Sequence, residues 1–319
     1  MKSIIPKGIN ALGKMICKGY VAIYDFFFNR PIGYIYMFHM VKPKGDYIAA
    51  IDSLRVSPEN FEKFLIEQSK RVDFISIDEV PSRIKTQGRG QKPFAVITFD
   101  DGYDDNFVYA YPILKKLQIP FVIYVSVGLV NDYAPIWNYP LIIERIIQKN
   151  EQLVLGNGET YSCSTEKEKN KTFGQLKKLL FSIPYKQLQS EFERLFDRYL
   201  TDDVFQKNTL TWEQIEQLSK DPLCAIGSHT MSHCRLTMTD EEMLSYELQE
   251  SKNILESHIG KSVYHLSYPY GASTDVSGEA KKYAGQCGYR TALYSSGGPM
   301  RDKDRNLDLF SLKRIPVKE

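Results

Sequence analysis

Long apolar runs are missing from this chain. No stretch of about 18 uninterrupted apolar residues occurs, which excludes an ordinary membrane-spanning helix. Cysteine is sparse: Cys17, Cys163, Cys224, Cys234 and Cys287 are odd in number and never closely paired. That spacing argues against a disulfide framework and for a reducing compartment. The charge balance has no excess of one sign. Net charge is only +2, so there is no electrostatic case for a nucleic-acid partner. A clean secretory signal is absent too, since charges interrupt every apolar core near the N-terminus.

What that N-terminus does have, over 1–30, is a basic amphipathic pattern. Ile4, Ile5, Ile9, Leu12, Met15 and Ile16 recur near helical spacing among Lys2, Lys7, Lys14 and Lys18. Two readings fit it: a helix on an anionic membrane surface, or a helix packed on the domain. With no export signal, the expected place is the cytoplasm or the inner face of a membrane. The 319 residues, with 43% hydrophobic and 25% charged, are otherwise those of a globular protein.

From residue 31 the chain alternates strand and helix. Tyr34 to Val41 reads as a buried strand, and Ser57-Pro58 as a capped helix start. Phe94 to Phe99, Asn106 to Leu117 and Pro120 to Val127 read as strand, helix and strand, a βαβ unit with parallel strands. The rhythm breaks over 131–209. There Pro140 to Lys149 is helical, Leu153 to Cys163 is a hairpin around Gly156-Asn157-Gly158, and 165–200 is charged and helical. We read this as an insertion that lids or extends a site, without an independent core. The pattern resumes with strands at 223–227, 264–267 and 291–294. Between them lie helices at 240–259, capped by Thr239, and at 278–287. The class is α/β.

Two segments carry chemistry. Thr98-Phe99-Asp100-Asp101-Gly102-Tyr103 sets adjacent carboxylates at the C-terminal end of a strand. Ser228-His229-Thr230-Met231-Ser232-His233 supplies a His-x-x-x-His pair. One carboxylate and two imidazoles can hold a divalent ion while leaving positions open, and a second carboxylate can then act as base. Neighbouring strand residues point to opposite faces, so both carboxylates can serve one site only if the backbone turns; Gly102 eases that turn. Cys234, next to His233, is a conceivable thiolate ligand or a buried bystander.

These two segments, with Tyr268-Pro269-Tyr270-Gly271, resemble three motifs of the polysaccharide deacetylase family, the NodB-homology group of carbohydrate esterase family 4. The likeness spans about Tyr34 to the C-terminus, which we read as the catalytic domain, 31–319. It implies a distorted (β/α) barrel of about seven strands with the helical insertion. Asp101, His229 and His233 would then bind one metal, with zinc the best fit and cobalt or nickel also suited. Asp100 would be the base, and the Tyr270 backbone N–H the oxyanion donor. Pro269 would fix that turn.

The chain departs from the common pattern. The late Leu-x-x-His motif and an Asp-Trp motif are missing, and Ser267 replaces the Arg that usually opens the third motif. This resembles the branch with permuted late motifs, typified by exopolysaccharide deacetylases of the poly-N-acetylglucosamine type. There the acid histidine comes from the first strand, which points to His39. His258 and His265 read instead as helix-end and strand-surface residues. Arg314 is the candidate to hold Asp100 in place of the missing Arg. Tyr103 and Trp137 are candidates for a sugar subsite or for packing.

The implied activity is removal of N-acetyl groups from amino sugars of a glycan or lipid-linked saccharide, in capsule or other surface-polysaccharide assembly. Alternatives are an O-deacetylase or deformylase of a lipid-linked sugar, or a glycan-binding pseudoenzyme.

Overall fold

The computed structural model describes residues 30–45, 48–88, 90–130, 139–205, 208–237 and 240–319. The basic N-terminal pattern, Cys17, Trp137 and Thr239 lie outside the described residues.

Seven strands close into a parallel barrel. They are β1 (Pro31–Phe38), β2 (Phe94–Phe99), β3 (Phe121–Val125), β4 (Cys224–Ser228), β5 (His265–Ser267), β6 (Thr291–Gly297) and β7 (Leu312–Pro316). They pair in chain order, and the ring shuts where β7 and β2 both pair with β1. Two short strands extend the barrel sheet: Met300–Arg301, antiparallel to β1, and Asp73–Phe74, parallel to β2. The expected seven-stranded barrel is therefore present, and all its carboxyl ends lie on one face.

Strand alternation divides the apolar residues between two cores. Val96, Val122, Tyr124, Leu293 and Leu312 share one cluster. Ala95, Ile97, Phe99, Phe121, Ile123 and Val125 join another that includes Phe61, Leu114 and Leu218 from surrounding helices. At the carboxyl ends the alternation delivers polar groups: Thr98, Ser267 and Arg314 are each 0% exposed.

The insertion contains helices α1 (Tyr139–Lys149), α2 (Glu166–Ser182) and α3 (Tyr185–Phe196). An antiparallel hairpin pairs Gln152–Val154 with Thr160–Ser162. The expectation that this segment lacks a core of its own is not met. Ile143, Ile147, Phe173, Leu176, Phe192 and Phe196 form a separate buried cluster. The amphipathic faces bury against one another, and Met40, Ile48, Ile51 and Tyr103 attach the cluster to the barrel side.

One helix boundary is also corrected. Asp240 caps the helix that follows the His-x-x-x-His loop, its carboxylate accepting the Met243 N–H at 3.1 Å. The run continues through a π-helical turn, Ser245–Glu250, into Ser251–Ile259. No helix among the described residues is long and apolar enough to cross a membrane.

Candidate active site

The carboxyl ends of β1, β2, β4, β5 and β7 meet at one polar centre. Asp100 follows β2 and donates its N–H to Phe38 O at 3.0 Å, which places it beside His39 at the end of β1. Asp101 then takes φ +74° and Gly102 the same. The expected turn is present, but Asp101 shares it with the glycine. Left-handed backbone in a non-glycine residue costs energy and persists where the surroundings impose it. Four of the five such residues, Asp101, Thr230, His233 and Tyr270, lie in the three motif segments.

That turn aims Asp101 at the histidine pair. Its Oδ1 lies 3.3 Å from His229 Nε2 and 3.2 Å from His233 Nε2, and the three ligand atoms fall within 4.8 Å of one another. The second nitrogen of His229, Nδ1, sits 2.7 Å from the Ser267 carbonyl oxygen. That bond makes Nδ1 the protonated nitrogen and leaves the Nε2 lone pair facing Asp101. Asp101 Oδ1 is buried without a hydrogen-bond donor. A buried carboxylate oxygen left so, between two imidazole nitrogens, is a poor arrangement for protein atoms alone. One carboxylate oxygen and two imidazole nitrogens so placed could hold a divalent cation. Among the described residues no other group of three such side chains converges this way. Cys234 is not in it; burial pushes its thiol well above the ordinary value, as expected of a bystander.

Asp100 is held differently. Arg314 Nη1 donates to its Oδ1 at 2.7 Å and Nη2 to its Oδ2 at 2.6 Å. The same guanidinium donates to Ser267 Oγ at 2.8 Å and to the Tyr294 carbonyl at 2.7 Å. Burial, the largest single influence, would raise the Asp100 carboxyl, but Arg314 together with His229 and His39 outweighs it and the net direction is down. Ser267, which stands where the common pattern has Arg, therefore receives the arginine from β7.

His39 is partly buried at the rim. Asn106 Nδ2 donates to its carbonyl at 2.8 Å, fixing the backbone. Burial lowers the imidazole, while Asp101 and Asp100 pull it back upward. The other two histidines are elsewhere. His258 stacks on Trp212 at 3.7 Å. His265 is not a surface residue as expected. It is 3% exposed inside the barrel, its Nδ1 2.8 Å from Thr291 Oγ1 and its Nε2 2.9 Å from Asp78.

The third motif forms a tight turn. Gly271 N–H donates to the Pro269 carbonyl at 2.7 Å across Tyr270, whose φ is +60°. This is a γ-turn of the strained, positive-φ kind. Among the described residues no acceptor takes the Tyr270 N–H. The Tyr270 ring packs 4.9 Å from His233 and 4.9 Å from Phe181 of α2.

A cavity of about 920 Å³ adjoins the centre on that side. His233 and Tyr270 line it together with Lys177, Phe181 and Tyr185 of the insertion. Tyr103 does not line it. The ring is 2% exposed and belongs to the insertion's core, so it packs there instead of facing a sugar. Sequence reading missed Glu247, a fully buried carboxylate beneath the His-x-x-x-His loop. The available signal was an acid on the stripe Leu244, Leu248, Ser251 and Leu255.

Comparison with known proteins agrees with this fold. The chain is 18% identical to Streptococcus pyogenes deacetylase PplD, solved in complex with acetate. That match covers 91% of this chain and 94% of that one, with a TM-score of 0.60. IcaB from Ammonifex degensii gives 17% identity, 91% and 93% coverage and a TM-score of 0.58. YxkH of Bacillus subtilis (strain 168) is 21% identical over 273 residues, 85% of this chain and 68% of that one. The polysaccharide deacetylase family model matches residues 87–292, which take in all three motifs and leave His39 and Arg314 on either side. The chain belongs to the polysaccharide deacetylase family.

Proposed function

We propose that this chain is a metal-dependent hydrolase that removes N-acetyl groups from amino sugars of a glycan or lipid-linked saccharide. The observation that carries this reading is the convergence of Asp101, His229 and His233 beside an Arg-held Asp100. Asp101, His229 and His233 would hold the ion, with zinc favoured by the oxygen and imidazole donors and cobalt or nickel also suited. The ion, when bound, lowers the pKa of water and draws off negative charge from an acyl oxygen.

The protein's own groups do the rest. Asp100, kept ionised by Arg314, takes the proton from the attacking water. The Tyr270 N–H, which has no acceptor among the described residues and is fixed by the turn, donates to the oxyanion that develops on the acetyl carbonyl. His39 gives a proton to the departing sugar nitrogen. Its lowered pKa makes the protonated ring a stronger acid toward that nitrogen. Tyr270 and Phe181 offer aromatic faces at the mouth of the cavity, where a saccharide would extend from the centre. Assembly of a surface polysaccharide from lipid-linked units, at the inner face of a membrane, is the setting that suits this chemistry.

The pseudoenzyme reading loses one of its supports here. It rested on the substituted arginine and the absent Asp-Trp motif, and Arg314 makes up for the first by contacting both oxygens of Asp100. The test combines elemental analysis with acetate release from a panel of N-acetylated amino sugars and their oligomers. About one ion per chain and release of acetate are expected. Asp100→Asn should keep the ion and lose turnover, whereas His229→Ala should lose the ion. An ion-free protein after incubation with zinc, cobalt or nickel would overturn the reading.

A further inference from the structure

Glu247 is 0% exposed and takes no part in the chemistry above. It sits in the π-helical turn Ser245–Glu250, a geometry often found at functional sites. Its carboxylate faces the loop that carries His233. Oε2 accepts the Met231 N–H at 3.1 Å and the Ser232 N–H at 3.0 Å, and Oε1 accepts the Ser232 hydroxyl at 2.5 Å. A fourth donor comes from outside the barrel. Tyr185, the first residue of α3, donates its hydroxyl to Oε1 at 2.6 Å and also contacts the Ser232 hydroxyl.

The loop between the histidines needs such support. Thr230 and His233, flanking the two bonded amides, hold φ of +65° and +53°. Non-glycine backbone keeps that conformation only where several contacts impose it. Burial, together with Glu247, pushes the Tyr185 hydroxyl upward, which keeps it a donor. All four donors are neutral, so a carboxylate buried at this depth depends on every one of them.

We infer that Tyr185, acting through Glu247 and Ser232, positions His233, so that the insertion supports the metal centre as well as walling the cavity. This rests on the metal reading proposed above. Tyr185 is a positioning residue here, since its hydroxyl reaches the loop and not the ligand atoms.

Tyr185→Phe removes that hydroxyl and keeps the ring. Two measurements on the full chain need no substrate: amide hydrogen exchange of the metal-free protein, and zinc affinity by competition with a chromogenic chelator. The expected result is faster exchange at Met231 and Ser232, with barrel-strand amides unchanged, and zinc bound about tenfold more weakly. Ser232→Ala should behave alike, and the double variant should fall short of the summed losses, because both hydroxyls act on one carboxylate. Should Tyr185→Phe fail to fold, Ser232→Ala carries the same two readouts. Unchanged exchange and unchanged zinc affinity would overturn the inference even in an active enzyme. An inactive protein that shows both shifts would instead count against the deacetylase reading alone. If the wild type binds no zinc, the exchange measurement still decides whether Tyr185 holds the loop.

Discussion

Arg314 and Asp100 form a two-point ion pair inside the barrel, their side chains 0% and 3% exposed. The pair joins the last strand to the second, 214 residues apart in sequence. Removing one partner strands the other as an uncompensated buried charge. Arg314→Met should therefore cost about 3–5 kcal/mol of stability, read by urea denaturation. Arg314→Lys should recover little, because an ammonium cannot match the fork on both oxygens. A stable and active Arg314→Met protein would refute the role given to this arginine.

The same pair sets a pH dependence. Burial by itself would raise the Asp100 carboxyl above its ordinary 3.8, but Arg314, with His229 and His39, outweighs it and the pKa falls. A group depressed in the folded state stabilises at pH above its unfolded value, and that contribution is lost as pH falls through the folded pKa. Activity should follow the same sign if, as proposed, ionised Asp100 is the base. At saturating metal, wild-type Asp100 should impose no acid limb above pH 3.8. Arg314→Met removes the largest influence opposing burial and leaves only His229 and His39 against it, so its kcat/KM should begin to fall at a higher pH than wild type. Superimposable profiles would show that Arg314 does not tune the base.

His39 can be separated from a packing role by the leaving group. His39→Gln should reduce deacetylation of an N-acetyl amino sugar by about 10²–10⁴-fold, because the departing nitrogen must be protonated. An aryl acetate departs without a proton, so its hydrolysis should change little. Equal losses on both substrates would make His39 structural.

Much of this was readable beforehand, and the reasons differ by element. β2 and β3 are strongly apolar, and buried parallel strands have no other composition available to them, so their places were legible. The ligand set was legible because Asp101, His229 and His233 lie in short local motifs. β7 was not read as a strand: Leu312–Pro316 mixes Lys, Arg and Pro with two apolar residues. Its arginine is buried only because Asp100, Ser267 and Tyr294 converge on it from three other parts of the barrel. Propensity cannot register that kind of tertiary compensation. Tyr103 misled for a related reason. The residue adjoins the catalytic motif in sequence, but Gly102 turns the chain and the ring leaves for the insertion's core. Glu247 is not singled out by the sequence, where it is one of several acids in that helix. Only the π turn and the loop lying against it show where that carboxylate points.

The third motif offers the sharpest steric test. Gly271 has φ +65°, and a Cβ there would lie 2.6 Å from the Ser295 amide nitrogen and 3.0 Å from the Tyr268 carbonyl oxygen. Both are backbone atoms, tied to β6 by Ser295 N–H to Gly271 O at 2.9 Å and Tyr268 N–H to Leu293 O at 3.1 Å. Neither can swing aside as a flexible side chain would, so Gly271→Ala must displace the turn itself. The substitution combines left-handed backbone with a clash and should cost more than about 1 kcal/mol of stability. Its larger effect should be on catalysis. Gly271 N–H closes the γ-turn that aims the Tyr270 N–H, and losing one oxyanion donor costs about 10²–10³-fold in kcat. Zinc affinity should stay near wild type, because Asp101, His229 and His233 reach the site from other strands. A drop in kcat at constant metal content and nearly constant KM is the expected pattern. Full activity in a folded Gly271→Ala protein would remove Tyr270 from the oxyanion role.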